Sequence, residues 1–294
     1  MSEYESVWTH LNTTPHRLSW VDVDGVSTRF LDAGPADAPV VVMLHGTAGS
    51  LENFCVNVAA YAEHFRVLAL DMLGCGYTDK PEQDYLITDY AEHLRGFLDA
   101  LDVDSAALVG VSLGSWVAAR LAHDHPGRVT SLVMIAPAGI ITDAEQEAAV
   151  AQGVRKRRTA AATEPSWQSV SAAMTSLVLD PEQLMDDLIA VRLAIYRQPS
   201  MTAAMPRLLA FTRGGQHLSP EEWARIQQPV MVIAAVDAPG MFLDNAYAVH
   251  AAAPATELVE LGGCDHWAQY EQPAEFTAAT VPFVQRAVTT AGVR

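Results

Sequence analysis

Cysteine is scarce in this 294-residue chain: Cys55, Cys75 and Cys264 are the whole supply, an odd number at unrelated spacings. That argues against a disulfide framework and fits a reducing compartment. Neither a C-x-x-C pair nor H-E-x-x-H occurs, so no metal site is signalled, and no cofactor is expected. Basic residues are few, 18 Lys and Arg against 35 Asp and Glu, and the net charge of −17 excludes nucleic acid as a partner, because its phosphates would be repelled. No apolar run approaches the ~20 residues of a membrane span. The opening Met1-Ser2-Glu3-Tyr4-Glu5 lacks the basic and apolar segments of a secretory signal. These absences lead to the expectation of a cytoplasmic protein that meets a small-molecule substrate and no membrane, with a homo-oligomer left open.

What is abundant is apolar residue, half of the chain, enough for a substantial core. Arg17–Val23 and Val26–Leu31 alternate as strands around the hairpin signal Asp24-Gly25. Val40–Leu44, Arg66–Leu70, Ala106–Val111 and Thr130–Ile135 are short apolar runs of the kind that a doubly covered parallel sheet requires. Helical spacing lies between them, near Glu52–Tyr61 and over Ile87–Leu101. The alternation implies an α/β fold with a mainly parallel sheet and right-handed crossovers.

From about Gly139 to Gly215 the strands stop. This stretch holds eight basic and eight acidic residues, so the remainder carries ten basic against 27 acidic, and the middle of the chain is chemically distinct. It reads as a helical insertion, and its run Arg155-Lys156-Arg157-Arg158 reads as a solvated helix face. Strands resume at Val230–Ala234 and Glu257–Leu261, with a helix near Leu243–Ala253 between them and a last one from Ala274 to about Val288. The expected organisation is therefore a core of residues 1–138 and 216–294 interrupted by a cap of residues 139–215.

The chemistry centres on Gly110-Val111-Ser112-Leu113-Gly114, which follows an apolar strand and opens a helix. A G-x-S-x-G between strand and helix is the sequence form of a nucleophile elbow, a turn that lifts a serine hydroxyl clear of the sheet. Serine needs a base, and the base needs a carboxylate to orient it. Catalytic groups gather at the carboxyl ends of the strands in such sheets. His266 stands just beyond Glu257–Leu261, and Asp237 just beyond the strand before it. The order Ser112, Asp237, His266 is the one expected of this architecture. Asp143, after Thr130–Ile135, is the rival acid. His123 and His125 suit the C-terminal end of the elbow helix, and His45 suits loop structure. The oxyanion donors are expected to be the N–H groups of Leu113 and Thr47, worth ~2.7–4 kcal/mol of barrier each.

His45-Gly46, Asp71-x-x-Gly74-x-Gly76-x-Thr78, Gly110-x-Ser112-x-Gly114, Asp237 and His266 together make the chain resemble the α/β-hydrolase-fold enzymes along nearly its full length. The resemblance implies an eight-stranded sheet and a helical cap between strands six and seven. His266-Trp267-Ala268-Gln269-Tyr270-Glu271, with Leu179-Asp180-Pro181 and Val191-Arg192-Leu193-Ala194-Ile195-Tyr196, is similar to the meta-cleavage product hydrolases, which break a C–C bond in aromatic degradation. That narrower resemblance implies substrate-binding roles for Arg192, on the acidic end of a dienoate, and for Asn53 and Trp267. The chain departs from the family's usual pattern in the short Thr47-Ala48-Gly49-Ser50 loop, in Val111 before the nucleophile and in Asp265 before the histidine. Hydrolysis of a C–C bond in a 2-hydroxy-6-oxo-dienoate and hydrolysis of a carboxylic ester or lactone both remain open at this point, as does the choice between an acyl-enzyme and a gem-diol. A non-hydrolytic binding protein is the reading from another class, and the intact Ser/Asp/His order argues against it.

Overall fold

A computed structural model describes residues 5–141 and 143–291, so Met1–Tyr4 of the acidic opening lie outside the described residues. Eight strands form one sheet: β1 His16–Val23, β2 Val26–Ala33, β3 Val40–Leu44, β4 Arg66–Leu70, β5 Ala106–Val111, β6 Val129–Ile135, β7 Val230–Ala235 and β8 Thr256–Leu261, in the order β1-β2-β4-β3-β5-β6-β7-β8. β1 pairs antiparallel with β2 and β2 with β4; every other pairing is parallel. The strand order reverses direction around β3, and the carboxyl ends of β3, β5, β7 and β8 therefore open on one side of the sheet, where sites form in such folds.

Burial follows sequence character. β3, β5 and β4 after its opening Arg66 are apolar and almost wholly buried, as helices on both faces demand. β1 alternates at the edge, with a polar side left to water. The helices Ile87–Ala100, Leu113–Asp124, Met241–Ala252 and Pro273–Ala291 cover the sheet. The helix expected near Glu52–Tyr61 is two pieces, a 3₁₀ turn Leu51–Phe54 and a helix Val58–Ala62. The break matches the segment's need to keep Glu52 and Asn53 turned inward, where both are buried.

Between β6 and β7 run the helices Ala144–Thr163, Trp167–Thr175, Asp186–Tyr196 and Pro199–Leu208, with short turns between them. Asp143 starts the first of these: its Oδ1 accepts from the N–H groups of Glu145 and Gln146, an N-cap that satisfies two orphan donors. One carboxylate ties this layer to the sheet. Glu271 Oε1 accepts from the N–H of Leu179 at 2.6 Å and Oε2 from the N–H of Asp265 at 2.8 Å. The motif residue Glu271 thus holds the Leu179-Asp180-Pro181 turn against the loop that carries His266.

Candidate active site

Ser112 has φ 54° and ψ −112°, a conformation that L-residues rarely adopt and that costs of order 1–3 kcal/mol. The flanking glycines explain how the turn closes. A Cβ on Gly110 would sit 2.5 Å from the backbone of Gly114, and one on Gly114 would collide with the carbonyl of Leu44 at the end of β3. The Ser112 carbonyl starts the helix, accepting from the N–H groups of Ser115 and Trp116 and from Ser115 Oγ at 2.6 Å. Leu113 is the first residue of the helix, so its N–H has no intrahelical acceptor. Thr47 lies beside Ser112 on the wall of the same cavity, where the backbone turns through Ala48 at φ 53°.

The loop that carries Thr47 is pinned from below. His45 Nε2 accepts from the N–H of Met72 at 3.1 Å, so Nδ1 bears the proton and donates to the Gly46 carbonyl at 2.7 Å. Burial pushes this imidazole down to about 3, with the Gly46 bond opposing, and it stays neutral as a structural pin. The Asp71–Thr78 loop is a clasp of the same kind. Asp71 accepts from the N–H groups of Leu51 and Tyr77 and from Arg29, and a Cβ on Gly76 would collide with its carboxylate.

Ser112 is 8% exposed and opens on two lobes of one space. The larger, about 490 Å³, is lined by His266, Trp267, Asn53, Arg192, Arg158 and Arg157, among others. The smaller, about 80 Å³, is apolar and lined by Leu113, Trp116, Ile140, Phe211 and Met241. Phe242 stands between the lobes and packs edge-to-face on His266, centroids 4.3 Å apart.

Arg192 and Asn53 come together as the resemblance implied. Arg192 Nη2 donates to Asn53 Oδ1 at 3.0 Å, and both residues are buried. The guanidinium lies 5.8 Å from the Tyr196 ring centroid, and its Nε has no hydrogen-bond partner among the described residues. Trp267 is buried and donates its backbone N–H to Leu177 of the insertion.

His266 lines the cavity with Ser112, and no hydrogen bond joins the two among the described residues. Catalytic hydrogen bonds of this kind often tighten only when substrate is bound. Burial drives the imidazole down to about 3, and the positive charges of Arg158 and Arg157 push the same way. Asp237 stands elsewhere. It is exposed at the turn after β7, and its Oδ2 accepts from the N–H of Gly263 at 2.7 Å. No hydrogen bond or ion pair joins Asp237 to His266 among the described residues; the carboxylate engages the backbone of the loop three residues earlier. The rival acid Asp143 is engaged in its N-cap.

Two features escape the sequence. Arg158 is not on a solvated face: it is 7% exposed and turned into the cavity, so the expectation for the run 155–158 is corrected. Only part of the run keeps to it. Lys156 and Arg157 are exposed, Arg157 at the cavity rim, while Arg155 donates to the Thr212 carbonyl at 2.7 Å. The signal lay in Val150, Gly153, Val154 and Arg157–Arg158, one helical stripe with an apolar start. Phe242 carried no signal, since its direction depends on the turn after β7.

The alpha/beta hydrolase fold family model matches residues 39–273. The 2-hydroxy-6-oxo-6-(2'-aminophenyl)hexa-2,4-dienoic acid hydrolase of Metapseudomonas resinovorans is 26% identical over 279 residues, covering 91% of this chain and 90% of that protein. A 2-hydroxy-6-oxononadienedioate/2-hydroxy-6-oxononatrienedioate hydrolase of Paraburkholderia xenovorans is 29% identical over 271 residues, covering 88% and 91%. Among solved structures, the 2-hydroxy-6-oxo-6-phenylhexa-2,4-dienoate hydrolase of Rhodococcus superposes with a TM-score of 0.80 at 22% identity, over 94% of this chain and 99% of the other, a likeness of fold. The strand order, the strained serine between two crowded glycines and a family match that runs from β3 to the start of the last helix agree: the chain belongs to the alpha/beta hydrolase fold family.

Proposed function

We propose that this enzyme hydrolyses a C–C bond in a 2-hydroxy-6-oxo-dienoate, with Ser112 and His266 as the reacting pair. The observation that carries the reading is the Arg192–Asn53 pair, two buried polar side chains joined to each other and open to the Ser112 cavity. A planar carboxylate matches the guanidinium fork and would satisfy its free Nε. Relatives named as dienoate hydrolases support the same substrate class.

The carboxylate end binds at Arg192 and Asn53, with Trp267 alongside. The dienol becomes the ketone, and His266 carries the proton between oxygen and carbon. Ser112, or a water that it and His266 activate, attacks the remote carbonyl. The N–H groups of Leu113 and Thr47 receive the oxyanion. The bond from the carbonyl carbon to the dienoate chain then breaks. Its electron pair leaves as an extended enolate that takes a proton, and the acyl carbon ends as a carboxylic acid with the oxygen of water. His266 is neutral at the start, as a base must be.

Asp237 acts through the backbone in this reading: by holding Gly263 it fixes the loop that presents His266. The test is incubation with the yellow 2-hydroxy-6-oxohepta-2,4-dienoate and analysis of products. Acetate and 2-hydroxypenta-2,4-dienoate in equal amounts are expected, with no turnover in Ser112→Ala. An enzyme that leaves the dienoate intact while hydrolysing p-nitrophenyl acetate would contradict the proposal and leave an ester hydrolase.

A further inference from the structure

Arg158 has no role in the reaction as written, yet its placement needs a cause. It is 7% exposed, and Nη1 has no hydrogen-bond partner among the described residues. No ion pair joins it to a carboxylate among the described residues: Tyr196 favours its charge, in part through a side-chain hydrogen bond, while burial, Arg192 and Arg157 all work against it. A buried unpaired charge is costly, and proteins that keep one usually use it. The setting sharpens the point. In a chain of net charge −17, three arginines line one cavity, and Asp265 is the carboxylate that lines it with them.

The two lobes say which half of a substrate meets this charge. His266 lines the larger lobe and not the smaller. The fragment that departs must take its proton from the imidazole, so the departing fragment occupies the larger lobe. Leu113, whose N–H faces the oxyanion, lines the smaller lobe, which has about 80 Å³ between Trp116, Phe211 and Met241. That space suits a short uncharged acyl group. The larger lobe, about 490 Å³, holds Arg192 and Arg158 around Tyr196, with Arg157 at the rim.

We propose that Arg158, backed by Arg157, is a second anion subsite beside Arg192–Asn53, and that the substrate has a large dianionic departing half and a short neutral acyl half. The proposal rests on the hydrolytic reading for its orientation, since the fragment protonated by His266 defines the departing half. It does not depend on whether the bond cut is C–C or ester. The second anionic group is a carboxylate on the departing chain. The bound dianion would relieve the mutual repulsion of the guanidiniums and the unfavourable field that they impose on His266.

Binding of inert probes tests this without turnover. Adipate and hexanoate differ by one carboxylate at equal chain length. Calorimetric titration of the wild-type enzyme is expected to give adipate at least tenfold tighter binding. Arg158→Gln should erase that preference and leave hexanoate unchanged, and Arg192→Gln should weaken both probes. Arg157→Gln, at an exposed position, should reduce the preference severalfold without touching the fold. Equal affinity for the two probes in the wild type, or an unchanged preference in Arg158→Gln, would overturn the subsite. If Arg158→Gln fails to fold, the wild-type ratio and Arg157→Gln still decide. Adipate selectivity in an enzyme that ignores dienoates would preserve the subsite and sink the C–C reaction. Turnover of a monoanionic dienoate by the wild-type enzyme, with equal affinity for adipate and hexanoate, would do the reverse.

Discussion

Arg29 and Arg158 are both buried arginines, and their surroundings are opposites. Arg29, on β2, donates to Glu52 Oε1 at 2.6 Å and to Asp71 Oδ2 at 3.2 Å, and its guanidinium lies 4.9 Å from the Tyr77 ring centroid. Burial works against its charge, but the Asp71 and Glu52 carboxylates more than offset it and leave its pKa raised. Arg158 meets the same burial with no carboxylate, and its pKa is lowered. The partnered arginine ties β2 to the Asp71 loop and the Leu51–Phe54 turn. Arg158 has Tyr196 beside it but no counterion among the described residues, and that missing counterion is assigned to the substrate. In this molecule the pairing of a buried charge separates scaffold from site better than burial alone.

The largest expected effect breaks that comparison if it fails. Arg29→Met leaves Glu52 and Asp71 buried without their cation and should cost about 3–5 kcal/mol in denaturant unfolding. Arg158→Met, which removes a charge with no counterion to strand, should leave stability unchanged or slightly higher. Equal losses in the two variants would mean that Arg158 is a structural ion after all.

Acid comes next. His45 and His266 are held down to about 3 and His93 to about 4, each chiefly by burial. Their folded values lie below the unfolded value near 6.5, so their contribution is complete above pH ~6.5 and is lost as pH falls toward 4 and 3. Each should cost roughly 1.4 kcal/mol per pH unit in that window. Unfolding midpoints measured between pH 7.5 and 5 should fall steadily below ~6.5. In Arg158→Met the His266 ring should titrate higher, while His45 and His93, which do not face Arg158, keep their values. An unmoved His266 would separate Arg158 from the catalytic base.

A smaller effect tests Asp237, a charge whose partner is a backbone N–H. Asp237→Asn retains an oxygen that can accept from Gly263, so kcat should fall by no more than about tenfold, with Asp237→Ala worse. A loss of about 10⁴-fold in Asp237→Asn would mean that Asp237 turns to His266 in the working complex, as the chain order suggests.

Much of this was legible in the sequence because it depends on local rules. The mainly apolar runs of β3 to β7 and the crowded glycines around Ser112 are set by period and sterics, and these place the elbow without tertiary knowledge. The Arg192–Asn53 pair was reachable only through resemblance, since it spans 139 positions. Asp237 shows the limit of counting: its place after β7 was readable, but the turn Val236–Gly240 decides where the carboxylate points, and it points to Gly263. Arg158 was misread for a related reason. Which face of Ala144–Thr163 turns inward is set by how the insertion packs on the sheet, and a run of four basic residues looks the same on either face.

The central claim is that the buried guanidinium of Arg192 binds the acid of a dienoate while Ser112 attacks a remote carbonyl. The most direct measurement is kcat/KM for 2-hydroxy-6-oxohepta-2,4-dienoate relative to p-nitrophenyl acetate, in the wild type and in Arg192→Met. Loss of a buried charge-assisted contact, about 2–3 kcal/mol, should lower that ratio roughly 100-fold while ester turnover stays near the wild-type value. An unchanged ratio would contradict the account, because the guanidinium assigned to the acid would then play no part in choosing the substrate.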